Sequence, residues 1–162
     1  MKITIVYHSV SGTTKIVAEH LVNIISKVEN IEVKSFSIDN VDEEWIKESK
    51  AVIIGTPTYM ADMSGEMKAW LSGPALKYNL TGKIGGAFST ADYIHGGGTQ
   101  AIQNILNYML ILSMLTYSSG AMFGAPVIHL GPVAIKGEVE KSLDTFSIYG
   151  ERFAKKVLEI FN

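Results

Sequence analysis

Short apolar runs alternate along this chain with stretches in which apolar residues recur at helical spacing, and that alternation restricts the possible folds more than any other feature. Lys2–His8 is dominated by Ile3, Ile5 and Val6, whereas Ala51–Gly55 is almost purely apolar. A strand buried on both faces loses its polar alternation, so Ala51–Gly55 is expected near the centre of a sheet. Ile31–Phe36 sets Ile31, Val33 and Phe36 among charged neighbours and suits a more exposed position. Lys83–Ser89 is rich in small residues (Gly85, Gly86, Ala87), which would let a cofactor or a helix approach closely. Thr116–Ser118 and Val127–Leu130 are candidates for a split fifth strand.

The helical segments fall between these runs. From Thr13 or Thr14 onward, Val17, Leu21, Ile24 and Val28 share one helical face. Trp45–Lys50 suits a short helix. Ser64 reads as an N-cap, with Glu66 in the first turn of a helix that reaches Leu71 and stops at Ser72-Gly73-Pro74. Longer helices are expected over Thr99–Leu112 and Val139–Phe161, the last with Leu143, Phe146, Phe153, Val157 and Ile160 on one side. Strands that alternate with helices predict a parallel sheet covered on both faces. With 162 residues and no internal repeat or linker, one domain is expected.

Composition removes several function classes. At 47% apolar and 19% charged residues, the chain does not read as disordered. A net charge of −2 offers no basic footprint for nucleic acid, and Lys155-Lys156 reads as part of a solvated helix face. The absence of cysteine excludes disulfides, thiolate metal sites and cysteine catalysis. The most apolar stretch, Ile102–Tyr117, is interrupted by Gln103, Asn104 and Asn107 and is shorter than the roughly 20 residues of a membrane span. Met1–Val6 is too short and too polar at its flanks for a signal peptide, so a cytoplasmic location is expected. No Ser-His-Asp set, paired carboxylates or metal-ligand cluster stands out, and no metal is expected.

In a parallel α/β sheet the ligand crevice lies at the carboxyl ends of the strands. Three loops begin there: Ser9–Thr14, Thr56–Met63 and Ser89–Gly98. In the first, Ser9, Ser11, Thr13 and Thr14 can donate to phosphate oxygens, Gly12 lets the backbone pass close, and the helix start favours an anion. A plain helix cap with extra serines would use the same residues. Neither the G-x-x-x-x-G-K-[ST] phosphate loop nor the G-x-G-x-x-G dinucleotide fingerprint is present. A phospho-acceptor regulatory domain would need an acidic cluster where this chain reads His8-Ser9 and Gly55-Thr56.

Ser9-x-Ser11-Gly12-x-Thr14 after the first strand resembles the phosphate loop of flavodoxin-like FMN proteins. Gly55-Thr56-Pro57-Thr58-Tyr59-Met60-Ala61-Asp62-Met63-Ser64-Gly65-Glu66-Met67-Lys68 is similar to the second loop and following helix of WrbA-type NAD(P)H:quinone oxidoreductases. Gly82-Lys83-Ile84-Gly85-Gly86-Ala87-Phe88-Ser89-Thr90 and His95-Gly96-Gly97 are similar to that family's fourth strand and third loop. The resemblance covers about the first two-thirds of the chain. It implies a three-layer α/β/α sandwich with a five-stranded parallel sheet in the order 2-1-3-4-5. By the same resemblance, Ser9, Val10, Ser11, Gly12, Thr13 and Thr14 would hold the FMN phosphate. Pro57, Thr58, Tyr59, Met60, Ala61 and Asp62 would border the ribityl chain and ring, and Ser89, Thr90, Ala91, Asp92, Tyr93 and Gly97 the pyrimidine edge.

The resemblance further implies hydride transfer from NAD(P)H through FMN to a quinone-like acceptor. The alternative is a flavodoxin-type electron carrier that serves a redox partner protein. His95 or Tyr93 could contact substrate, and an ordinary loop position explains either residue equally well. Where the family often has a histidine, this chain reads Met109-Leu110-Ile111-Leu112. That helix is apolar all round, which points to a subunit contact and a homodimer or homotetramer.

Overall fold

The structure, a computed structural model, describes residues 1–161. Its elements alternate as the apolar runs predict. β1 (Lys2–Tyr7) leads to α1 (Thr13–Ile25), β2 (Glu32–Ser37) and a short α2 (Glu43–Glu48). Then come β3 (Ala51–Tyr59), a two-residue β4 (Asp62–Met63), α3 (Gly65–Ser72) and a 3-10 turn at Pro74–Tyr78. β5 (Ile84–Ala91), α4 (Gly98–Ile111), β6 (Leu115–Thr116), β7 (Val133–Ile135), a 3-10 turn at Val139–Ser142 and α5 (Leu143–Phe161) complete the described chain.

The parallel sheet runs β2-β1-β3-β5, with β6 and β7 both on the outer side of β5. β4 is an antiparallel flap on the end of β3. Counting β6 and β7 as two halves of one strand gives the predicted order, with the central place held by the apolar run at Ala51 and the exposed run at the edge. Period-2 alternation sends Ile3, Ile5, Ile53 and Phe88 to one face, where α1 and α5 cover them. Val6, Val52, Ile54 and Ala87 face α3 and α4 on the other.

The small residues of β5 make room for helices, not for a cofactor. A Cβ built on Gly86 would sit 2.3 Å from Tyr149 Oη and 2.6 Å from the Phe153 ring of α5, and one on Gly85 would meet Met109 Sδ of α4 at 2.6 Å. Burial pushes the Tyr149 hydroxyl above its ordinary pKa.

The second half of the split strand differs from expectation. Val127–Leu130 does not join the parallel sheet, because Ile128 turns into the core beneath α1 and α5 and its backbone bridges Gly120 antiparallel. The chain rejoins the sheet after Gly131, whose Cβ position lies 2.1 Å from Ala87 O, and β7 pairs with Ser89–Ala91. The last helix begins at Leu143, since Val139–Ser142 forms a 3-10 turn, and Ile160 remains 47% exposed. No helix among the described residues is long and apolar enough to cross a membrane.

Candidate functional site

The three loops predicted from the sequence converge on one groove at the carboxyl edge of the sheet, about 220 Å³ in volume. Val10, Ser11 and Thr13 line it from the first loop, Pro57, Thr58 and Tyr59 from the second, and Thr90, Ala91 and Asp92 from the third.

The first loop leaves a helix start open. Gly12 is the N-cap residue of α1, takes φ of +91° and supplies no side-chain cap, and the first turn holds no acidic residue. Ser9 Oγ accepts from Lys15 N–H at 3.2 Å, so one of the first-turn donors has a side-chain partner. The others, with the positive end of the helix dipole, face the loop. Ser11 Oγ lies 3.3 Å from Thr13 Oγ1, both at the groove wall. Thr14 departs from the expected arrangement. Its side chain is buried, and its hydroxyl lies 2.8 Å from Thr90 Oγ1, tying the first loop to the third.

The second loop is held by a hydroxyl chain. Thr56 Oγ1 donates to Pro57 O at 2.9 Å and accepts from Ser64 N–H at 3.0 Å, and Ser64 Oγ accepts from Met67 N–H at 3.2 Å as the cap of α3. His8 Nδ1 lies 2.8 Å from Ser64 Oγ, so the residue before the first loop is fastened to the second. Beyond Thr58 the chain turns back through Met60 (φ +51°) and Ala61 (φ +60°) and pairs Tyr59 with Asp62. Two successive left-handed residues define a type I′ hairpin, which normally takes Asn and Gly. Asp62 is committed within the fold. Its Oδ1 accepts from Met63 N–H at 2.7 Å and from Asn104 Nδ2 at 2.6 Å.

The third loop packs on that hairpin. Gly97 takes φ of +91°, and a Cβ there would lie 2.5 Å from Ala61 Cβ, so only glycine fits. Ser89 is buried, donating to Gly98 O at 2.9 Å. Tyr93 and Ile94 stand 76% and 78% exposed. His95 and Gly97 do not line the groove. They border a separate apolar cavity of about 400 Å³ with Ile94, Val133 and Ile135, on the α4 side of the sheet. Lys136, which the sequence reading missed, does line the groove, with its ammonium 3.9 Å from Asp92. No local signal marks it, because Val133–Ile135 becomes the strand that delivers it to this sheet edge only through the seating of Ile128 and Gly131 in the fold.

One observation tests whether a ligand belongs in this groove. Thr58 Oγ1 is buried and has no hydrogen-bond partner. An orphaned hydroxyl costs about 1–3 kcal/mol, and here it sits in the wall of a groove whose other end is an open helix start. A ligand with a phosphate and neighbouring hydroxyls would satisfy both. Among the described residues no group of His, Asp or Glu is placed to hold a metal ion.

A five-unit parallel sheet in this order, with three loops gathered at its carboxyl edge and no glycine-rich dinucleotide turn, defines a flavodoxin-like protein. Residues 1–125 match the family described as NADPH-dependent FMN reductase, and the chain belongs to that family. A protein named flavodoxin from Clostridium saccharobutylicum is 45% identical over 99% of this chain and 100% of its own length. An NAD(P)H dehydrogenase (quinone) from Geotalea daltonii is 28% identical, with 73% of each chain covered. The crystal structure of a flavodoxin, WrbA-like protein from Agrobacterium tumefaciens superposes with a TM-score of 0.79 at 23% identity, covering 98% of both chains. That last likeness speaks for the fold.

Proposed function

We propose that this protein binds FMN in the groove and passes hydride equivalents from NAD(P)H to a quinone-like acceptor. The observation that carries the reading is the buried, unpartnered hydroxyl of Thr58, a residue of the groove wall, together with the open N-terminus of α1 beside the same groove. When bound, FMN supplies the centre that takes up a hydride and releases two electrons. The chain's own residues bind and orient it. The first-turn N–H groups of α1, with Ser11 and Thr13, would hold the phosphate. Thr58 would donate to the polyol, Tyr59 would flank the ring, and backbone groups at Thr90–Asp92 would meet its amide edge. Val10 and Tyr59, exposed in the groove lining, offer apolar surface that would receive a flat acceptor.

A second reading, an electron carrier for a redox partner protein, is favoured by the likeness over full length to a protein named flavodoxin. Mixing purified protein with FMN and then, without oxygen, with NADH or NADPH and benzoquinone separates the two. Bound flavin with steady nicotinamide consumption supports the reductase. Bound flavin with no consumption supports the carrier, and absence of binding removes both. Self-association also belongs to this proposal. α4 carries no charged residue, and Leu110, Ile111 and Leu115 stand more than half exposed on that flank, which suits a homodimer or homotetramer.

A further inference from the structure

Two charged side chains line the groove, Asp92 and Lys136, and FMN binding as proposed uses neither charge. They reach it from different elements. Asp92 opens the third loop directly after β5, and Lys136 follows β7. Ile135 pairs with Ala91, and Lys136 N–H bonds to Ala91 O at 2.9 Å, so the two residues leave the sheet side by side. Between them in sequence, from Tyr93 to Ile135, there is no Asp, Glu, Lys or Arg. The pair supplies the charged side chains of the groove lining, on its third-loop side. At 3.9 Å, with both side chains more than half exposed, it holds the lysine weakly. Such an ammonium is free to answer a stronger anion inside the groove.

We propose that Lys136 sets the reduction potential of the bound flavin, stabilising the negative charge gained on reduction, with Asp92 opposing it. This rests on the FMN reading. Hydride from a reduced nicotinamide would bring two electrons and one proton, so a bound flavin would gain one net negative charge on its pyrimidine side. The nicotinamide leaves oxidised. The third loop is the element set to border that side, and Lys136 is its only cationic neighbour in the groove lining. A unit charge a few ångströms away, in surroundings between bulk water and a protein surface, changes such an equilibrium by roughly tenfold.

The test is potentiometric. The midpoint potential of protein-bound FMN is measured in the wild type and in Lys136→Met, Lys136→Arg and Asp92→Asn, beside the dissociation constant of oxidised FMN and the urea midpoint of each protein. Lys136→Met should disfavour two-electron reduction by roughly tenfold in equilibrium constant. Asp92→Asn should favour it, and Lys136→Arg should leave it near the wild type. Oxidised FMN should bind Lys136→Met and Lys136→Arg as it binds the wild type, because the effect of the lysine lies in the reduced state. If Lys136→Met instead weakens oxidised FMN and leaves the potential unmoved, the lysine is a phosphate contact and the proposal is overturned. Potentials indifferent to all three substitutions overturn the role of Lys136 alone. A wild-type protein that does not bind FMN overturns the FMN reading, and this one with it.

Discussion

Thr58 and Gly97 show how single positions divide stability from binding. The Thr58 hydroxyl is buried without a partner, a state that costs the free protein about 1–3 kcal/mol. Thr58→Val keeps the shape and removes the orphan. The substitution is expected to raise the urea midpoint of the flavin-free protein while weakening FMN about tenfold, the loss of one hydrogen bond. Fluorescence titration against denaturation curves checks both signs, and a fall in both would show that Thr58 serves the fold alone. Gly97→Ala acts in the opposite sense on stability. It forces an L residue to φ of +91° and drives its Cβ into Ala61, so stability should fall by about 1–3 kcal/mol, with FMN affinity falling too as the second and third loops part. Neither role was readable in the sequence, although both residues were placed at the site, because burial without a partner and contact between distant loops exist only in three dimensions. The same holds for Thr14, spent on Thr90, and for His95, carried to the α4 side.

The β3–β4 hairpin and the β5 strand carry the strain and the packing of the elements themselves. Met60 and Ala61 each occupy the left-handed region at a cost of about 1–2 kcal/mol, and Met60 is almost wholly exposed. Replacing the pair by Asn-Gly, the residues this turn prefers, should stabilise the protein by about 1–2 kcal/mol and raise the thermal midpoint. If the thermal midpoint stays where it is, the turn is not strained. On the far side of the sheet, Gly86→Ala should cost about 1–3 kcal/mol by overpacking against Tyr149 and Phe153, read as a lower urea midpoint. The identities of the main strands were legible because period and apolarity are local properties, whereas their order followed from the family resemblance. The second half of the split strand was not. Val127–Leu130 and Val133–Ile135 are equally apolar, and only the seating of Ile128 in the core and the close approach of Gly131 to Ala87 decide which one pairs with β5.

At the scale of the molecule, charge is distributed very unevenly. Every Asp, Glu, Lys and Arg lies outside Tyr93–Ile135, a segment that supplies α4, the edge strand β6 and the excursion to β7. α1 and α5, on the opposite side of the sheet, carry ion pairs such as Lys15–Glu19 and Lys155–Glu151 on their outer faces. A solvent-facing edge is ordinarily guarded by charge, whereas Leu115 and Thr116 in β6 are exposed and uncharged. An uncharged flank loses little on desolvation and finds no electrostatic complement on a charged partner, so a second copy of the same flank is its natural match. Light scattering coupled to size exclusion should therefore give a multiple of the 17.7 kDa chain. Ile111→Lys, at a position 76% exposed, should dissociate it while leaving the fold's circular dichroism unchanged, because nothing in the monomer depends on that side chain. Adding salt should not dissociate the wild type, since no ion pair spans such an interface. A wild-type monomer at micromolar concentration would defeat this reading, and the uncharged flank would then have to be accounted for within the single chain.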